Sequence, residues 1–325
     1  MTKSWFAFPD TPVRTQESTR SWRNVLLPLD GSDLSTWALV RARHILELEG
    51  VSVTLLRVIE CRGDRANDLG YQLDSRHGEA RDSLAKIRRL LLSRSGAVSA
   101  ELRFGDPATE ILRETTEGNH DLILMSTVGR PGLGRSLIGP VAQRVLRSSS
   151  VPLLLFRPRL GPDENMPHPE AFGTTRFERL LVMLDGSEAA EEILPAAESM
   201  ARTSGSTVHL FRAVSGGSAG LPERNEAEGY LTSWGRRLAT RGIPSEVNIG
   251  TGDPAGSAVA LIRERGIDSV ALITHARKGF ARSVHGSVSE EILRQADLPL
   301  LTLCSQSHRL LSPAPALEHR HVRIE

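Results

Sequence analysis

An apolar run, Asp121-Leu-Ile-Leu-Met125, opens into a stretch with glycines at 129, 132, 134 and 139, where a helical pattern begins. Strand, glycine-rich loop and helix N-terminus in that order suit a phosphate. Glycines let backbone approach a ligand closely, and the free N–H groups at a helix start attract an anion. Two acids stand where another part of such a ligand would sit. Asp30 and Asp185 each end an apolar run and each is followed by Gly-Ser. The carboxyl ends of strands are where open α/β sheets collect ligands. An Asp in this context also suits a helix N-cap or an Asx-turn, so both readings stand.

Other chemistries find little support. Gly129 to Ser136 is one residue from a Walker A loop, with Arg135 where Lys belongs. That loop must follow its strand and open a helix directly, whereas here the helix waits for Gly139. No GxSxG elbow, HExxH or properly placed GxGxxG occurs. His44, His77, His120, His209, His275 and His285 are scattered and read as surface or supporting residues. His275 and His285 flank a second loop and stand within reach of an anion there. His308, His319 and His321 lack metal-site spacing. Cys61 and Cys304 form no CxxC and read as ordinary thiols of a reducing compartment. Forty Lys and Arg against 39 Asp and Glu give no reason to expect a nucleic-acid partner. No run reaches membrane-spanning length, and Met1 to Gln16 lacks a signal-peptide core. The expectation is a cytoplasmic protein with no catalytic residue.

The elements that must position these residues alternate. Arg23 to Leu29 reads as a strand, with Pro28 placed for a strand end. A helical pattern runs from Leu34 to Leu48, a strand from Val51 to Val58 and a loop from Ile59 to Leu73. Asp74 to Ser93 reads as a charged helix, Val98 to Phe104 as a strand and Ala108 to Glu117 as a helix. Asp121 to Met125 is a strand, and Val151 to Phe156 closes the unit after the glycine loop and its helix. Such alternation argues for a parallel sheet covered by helices on both faces.

The pattern then repeats. Arg179 to Asp185 matches Asn24 to Asp30, and Val208 to Arg212 matches Val53 to Arg57. Gly252-Asp-Pro254 matches Gly105-Asp-Pro107, Gly286 to Arg294 matches Gly139 to Arg147, and Leu298 to Thr302 matches Val151 to Leu155. Five landmarks in the same order indicate a tandem duplication of a domain. The expected division is a tail over 1–21, a first domain over 22–158, a linker over 159–176, a second domain over 177–305 and a tail over 306–325.

Each half resembles a universal stress protein domain. The resemblance rests on the strand ending near Pro-x-Asp-Gly-Ser, on a Gly-x-x-Gly, nine residues, Gly-Ser/Thr pattern, and on a final helix and Pro-containing strand. It implies two tandem doubly wound, Rossmann-like domains of the adenine nucleotide alpha hydrolase kind, in a regulatory stress-response protein. It also implies pairing through the last strand, either as a pseudo-dimer within the chain or as a homodimer. Some members bind ATP and others do not. In binders the matching Asp and nearby backbone hold the adenine, which places Pro28, Asp30 and Val58 in the first half and Asp185 and Ala213 in the second at the base. The phosphate pattern falls on Ser126, Gly129 and Gly139, with Arg130 and Arg135 as added cations and Pro140 in place of the hydroxyl. In the second half it falls on Ile273, Ala276, Gly286 and Ser287. The first half thus keeps two glycines and loses the hydroxyl, while the second keeps Gly-Ser and loses the cradle. The expected ligand is ATP, or AMP or ADP, with Mg2+ accompanying the nucleotide. A module of the same fold that binds no nucleotide, and a slow ATP-hydrolysing enzyme, remain as alternatives.

Overall fold

The computed structural model describes residues 22–32, 35, 38–39, 41–60, 69–92, 97–127, 138–157, 177–216, 220–274, 287–296, 298–305 and 321–324. The first half contributes β1 (Asn24–Leu29), α1 (Arg43–Leu46), β2 (Ser52–Ile59), α2 (Leu69–Leu92), β3 (Ala97–Phe104), α3 (Pro107–Glu117), β4 (Leu122–Ser126), α4 (Pro140–Ser148) and β5 (Leu153–Phe156). The second contributes β6 (Arg179–Met183), α5 (Glu188–Glu191), α6 (Leu194–Ser204), β7 (Thr207–Val214), α7 (Gly220–Thr240), β8 (Ser245–Thr251), α8 (Pro254–Arg265), β9 (Ser269–Thr274), α9 (Ser287–Gln295) and β10 (Leu300–Cys304). A last strand, β11 (His321–Ile324), follows.

All eleven strands form one sheet, ordered β11-β3-β2-β1-β4-β5-β10-β9-β6-β7-β8. Each half is a parallel five-stranded unit, and the two meet back to back. β10 pairs antiparallel with β5, Leu300 opposite Leu155 and Thr302 opposite Leu153. The last strands of the two halves therefore pair within one chain. The strands read as continuous apolar runs because helices cover both faces. On β1 the alternation sends Val25, Leu27 and Leu29 into one core cluster and Leu26 into the other. Phe177, at the start of the second half, is fully buried 6.5 Å from the ring of Phe156.

Local chemistry fixes the matched elements. α3 and α8 start alike: Asp106 accepts from Thr109 N–H at 3.1 Å and Asp253 from Gly256 N–H at 2.6 Å, each followed by a proline in the first turn. Gly205 and Gly266 end α6 and α8 at φ +71° and +61°, backbone that L side chains rarely adopt. Half-buried Asp121 and Asp268 each accept two backbone N–H groups, from Arg23 and Asn24 and from Glu178 and Arg179, which tie the entry of the first strand to that of the fourth.

Two sequence expectations change. The segment read as a loop to Leu73 is already helical from Leu69, because Leu69 and Leu73 continue the four-residue spacing that leads to Ala80 and Leu84. The polar C-terminal stretch contributes β11, which pairs antiparallel with the outer edge of β3. The segment expected as a linker, 159–176, lies outside the described residues.

Candidate functional site

In the first half the chain runs outward through β1, β2 and β3, then returns to β4 on the other side of β1. β1 and β4 are parallel neighbours with Leu26 opposite Ile123, so three residues later Leu29 and Ser126 end their strands at one level. The crevice between them is the switch point where doubly wound sheets bind ligands. Val58, near the end of the adjacent β2, completes the row, since β2 pairs with β1 up to Leu29 opposite Arg57. The sheet thus brings Pro28, Asp30, Val58 and Ser126 to one edge. Pro28 lies beyond the β1–β4 pairs, which is how a central strand accommodates it.

Asp30 forms an Asx-turn. Its Oδ1 accepts from the Ser32 N–H at 2.9 Å and from the Ser32 hydroxyl at 2.5 Å. Asp185 is held identically by Ser187, at 2.9 and 2.6 Å. The intervening glycines have φ +76° and +88°. A Cβ on Gly31 would come within 2.7 Å of Arg57 Cζ, and one on Gly186 within 3.0 Å of Arg212 Cζ. A guanidinium therefore lies against the Asp-Gly-Ser turn in both halves. These arginines were not singled out from sequence, although each ends one of the matched landmarks.

The phosphate pattern is half in view. Ser126 closes β4 in extended backbone, and Asn119 is the one non-glycine with positive φ among the described residues. Serine in place of glycine is thus unstrained. Gly129 and Arg130 lie outside the described residues. Gly139 is the N-cap of α4 at φ −69°, with Pro140 in the first turn, no side-chain cap and no acid in that turn. That helix start is electropositive and uncapped. Gly139 N–H donates to Thr127 O at 2.7 Å, which draws the loop's two ends together. Thr127 itself is buried, and its hydroxyl has no hydrogen-bond partner among the described residues. A buried hydroxyl without a partner costs free energy unless something bonds it, and here it stands at the root of the loop.

The second half differs at the same positions. Ile273 is buried at the end of β9, and the Thr274 hydroxyl donates to Leu303 O at 3.5 Å. Ala276 and Gly286 lie outside the described residues, and Ser287 opens α9. Asp185 and Ala213 stand at the carboxyl ends of β6 and β7, beside Met183 where the first half has Pro28. Around this edge Tyr230 O–H and Trp234 Nε1 both donate to Glu191, at 2.8 and 3.3 Å, while Arg212 lies over the Tyr230 ring. Burial pushes the Tyr230 hydroxyl above its ordinary pKa, and its bond to Glu191 adds to this.

Three histidines have partners within the fold, while His275, His285, His308 and His319 lie outside the described residues. His120 is buried with Nε2 3.1 Å from Glu114 Oε1, His209 is buried 3.6 Å from Glu246, and His44 Nε2 lies 2.9 Å from Ser204 Oγ across the two halves. Among the described residues no group of three or more His, Cys, Asp or Glu could hold a metal, and no helix is long and apolar enough to cross a membrane.

A family model described as the universal stress protein family matches twice, over residues 21–157 and 176–303. A universal stress protein of Methanocaldococcus jannaschii is 28% identical over 142 residues, 42% of this chain and 82% of that protein. A putative universal stress protein of Staphylococcus haemolyticus is 24% identical over 151 residues, 45% of this chain and 92% of its own length. Among solved structures, a universal stress protein of Archaeoglobus fulgidus superposes with a TM-score of 0.68 at 22% identity, covering 88% of this chain and 99% of that one. A putative one of Pseudomonas aeruginosa gives 0.60 at 18% identity, covering 88% and 95%. The last two similarities bear on the fold.

Proposed function

The chain belongs to the universal stress protein family, and from that premise we propose that it is a cytoplasmic regulatory protein whose first half binds ATP or another adenine nucleotide. One observation carries the reading: at the crevice between β1 and β4, an uncapped helix start and a buried hydroxyl without a partner among the described residues stand beside the Asp30 turn. Asp30 would accept from the base through Oδ2, since its two turn bonds both use Oδ1. Backbone at Pro28 and Val58 would line the base. The start of α4 at Gly139, the hydroxyls of Ser126 and Thr127, Gly129 and the Arg130 guanidinium would hold the phosphates, with Mg2+ accompanying them. The protein binds and reports nucleotide; no residue is assigned to its cleavage. Asp185, Ala213, Gly286 and Ser287 form the lesser site, where Ile273 occupies the place of the first glycine.

Calorimetric titration with ATP and Mg2+ tests this. Saturable heat with about one site per chain supports it, and silence at millimolar ATP rejects it.

A second reading, a module of this fold that binds no nucleotide, is favoured by a specific loss of donors. Pro140 has no N–H, and the Gly139 N–H is spent on Thr127 O. Adenine nucleotide released on denaturing the freshly purified protein would count against it.

A further inference from the structure

The two ends of the eleven-stranded sheet are repeats of each other, yet among the described residues only one carries a further strand. β3 and β8 match residue for residue, with Gly105-Asp-Pro107 and Gly252-Asp-Pro254 fixing the alignment. β8 ends the sheet, while β3 carries β11 on its outer edge. A strand edge presents unpaired N–H and C=O groups and is a template for any extended segment that can pair with it.

The register of β11 gives the edge a preference. Val322 stands opposite Leu102 and Ile324 opposite Ala100, and both of those β3 residues are fully buried in the apolar core. Arg323 stands opposite Glu101, and His321 opposite Arg103. Directly opposed residues share a face of the sheet, and an opposite-charge pair there favours the register. The face that carries Glu101 and Arg103 is acidic in sum. Arg103 is bonded to Glu114 and Glu117 and lies 3.6 Å from Glu110, so one arginine meets three glutamates of α3. β8 offers Asn248 and Gly250 at the matching positions, and the acid on that face, Glu246, stands where β3 has Ser99 and lies near His209 and Arg265. The two edges therefore place their charges at different register positions.

β11 is four residues long and lies six strand positions from β10, the last strand before it. At about 4.8 Å per strand that span is roughly 29 Å, well within the contour length of the intervening chain at about 3.3 Å per residue. A strand of this length with no hairpin to its neighbour pairs marginally by itself. A connection of this length keeps the strand at high local concentration whether or not it is paired.

We propose that the outer edge of β3 is a peptide-binding edge that takes an extended segment of alternating aliphatic and basic residues in antiparallel register. The chain's own residues 321–324 are its resident, displaceable occupant, and the partner is a protein segment of the same pattern. This stands independently of any nucleotide at the crevice between β1 and β4.

The test uses the full chain and a fluorescent peptide of residues 317–325. In a Val322→Pro/Arg323→Pro chain the tail is unable to pair. Of two consecutive residues on an edge strand one directs its N–H to the neighbour, and proline removes both. The peptide is expected to bind this variant saturably and at least about ten-fold more tightly than it binds the wild-type chain, where the tethered tail competes. A peptide carrying the same two prolines is expected to bind neither. Should the variant fail to fold, as judged by circular dichroism, Arg323→Glu in the full chain replaces it. That change sets like charges opposite at Glu101, and peptide binding should rise above wild type. Equal binding to the wild-type and released chains overturns the proposal, as does binding of the proline peptide. Failure of any saturable binding to a folded released chain overturns it too.

Discussion

Between β3 and the helix that follows it, the first half buries Arg103 against Glu110, Glu114 and Glu117, with His120 closing the group on Glu114. At the matching positions the second half has Gly250, Ser257, Leu261, Glu264 and Ile267. Both arrangements support the same strand, turn and helix, so the network is not a requirement of the fold. A buried ionic group of this kind is weak evidence for stability in itself, and strongly destabilising when broken on one side. The two halves also diverge at the loop: the first keeps glycines and has a Thr127 hydroxyl without a partner among the described residues, and the second has Ile273 at the place of Ser126 and pairs its threonine. The charged network and the better-kept loop lie in the same half, which is also the half that β11 covers. At Glu114, His120 and Ser126 the first copy carries polar groups where the second carries apolar ones.

The largest break of that comparison comes at Arg103. Arg103→Leu removes the guanidinium that bonds Glu114 and Glu117 and lies 3.6 Å from Glu110, leaving only Arg113 at 4.0 Å from Glu110 and His120 on Glu114, and should cost about 3–5 kcal/mol in urea unfolding. A loss under about 1 kcal/mol would mean that the carboxylates relax to solvent and that the halves are equivalent here. Acid probes the same group. Burial raises the Glu114 pKa, but its bonds to His120 and Arg103 outweigh this and hold the carboxyl below its ordinary value. A depressed folded pKa gives stability that is present above the ordinary carboxylate range and lost as pH falls through the folded value. Hydrogen exchange at decreasing pH should therefore expose α3 before α8, where Leu261 replaces Glu114. Asp121 and Asp268 are both raised by burial, and so act in the opposite sense and alike in the two halves.

The loop gives the next effect. Gly129→Val places a branched side chain where phosphate must approach, and should weaken nucleotide binding by more than about ten-fold, or about 1.4 kcal/mol. Ala276→Val in the second half should change it less than about two-fold. Equal silence at both positions would remove the phosphate assignment.

Much of this was legible before the fold was known. The paired Asp-Gly-Ser and Gly-Asp-Pro landmarks fix β1, β6, α3 and α8, because a turn or cap needs those residue types locally. The seam of β5 on β10 was legible through the family resemblance, which implies pairing through the last strand within or between chains, but nothing in Val-Pro-Leu-Leu or Leu-Pro-Leu-Leu states a direction. β11 left no trace: His-Val-Arg-Ile is too short for periodicity, and its strand exists because β3 offers an edge. Arg57 and Arg212 were in view as matched residues, but their place over Gly31 and Gly186 depends on a positive φ that only the turn reveals. Thr127 looked like an ordinary residue beside Ser126. Its interest comes from burial without a partner.

Those turns give a smaller contrast. Gly31→Ala should cost about 1–2 kcal/mol, because a Cβ is strained at φ +76° and Arg57 must move aside. Gly186→Ala carries the same backbone strain with more room at Arg212, and should sit near the lower end, at about 1 kcal/mol. Thermal unfolding reads both. A larger cost at Gly186 would show that Arg57 yields more readily than Arg212 and would undo the ranking of the two turns.

The smallest effect separates ligand from scaffold most directly. Thr127→Val keeps the shape of the side chain and removes a hydroxyl that has no partner among the described residues. Replacing such a group by an apolar one is neutral or stabilising, so the nucleotide-free protein should gain up to about 1 kcal/mol. If the hydroxyl serves a phosphate, the same variant should bind nucleotide roughly five-fold more weakly, about 1 kcal/mol in the opposite direction. Thr274→Val removes a hydroxyl that already has a partner in Leu303 O, and should lose a few tenths of a kcal/mol in stability and nothing in binding. Opposite signs at Thr127 and a single small loss at Thr274 are what a ligand site in one copy requires. If Thr127→Val gains stability and leaves binding unchanged, the hydroxyl belongs to the fold, and both loops are scaffold.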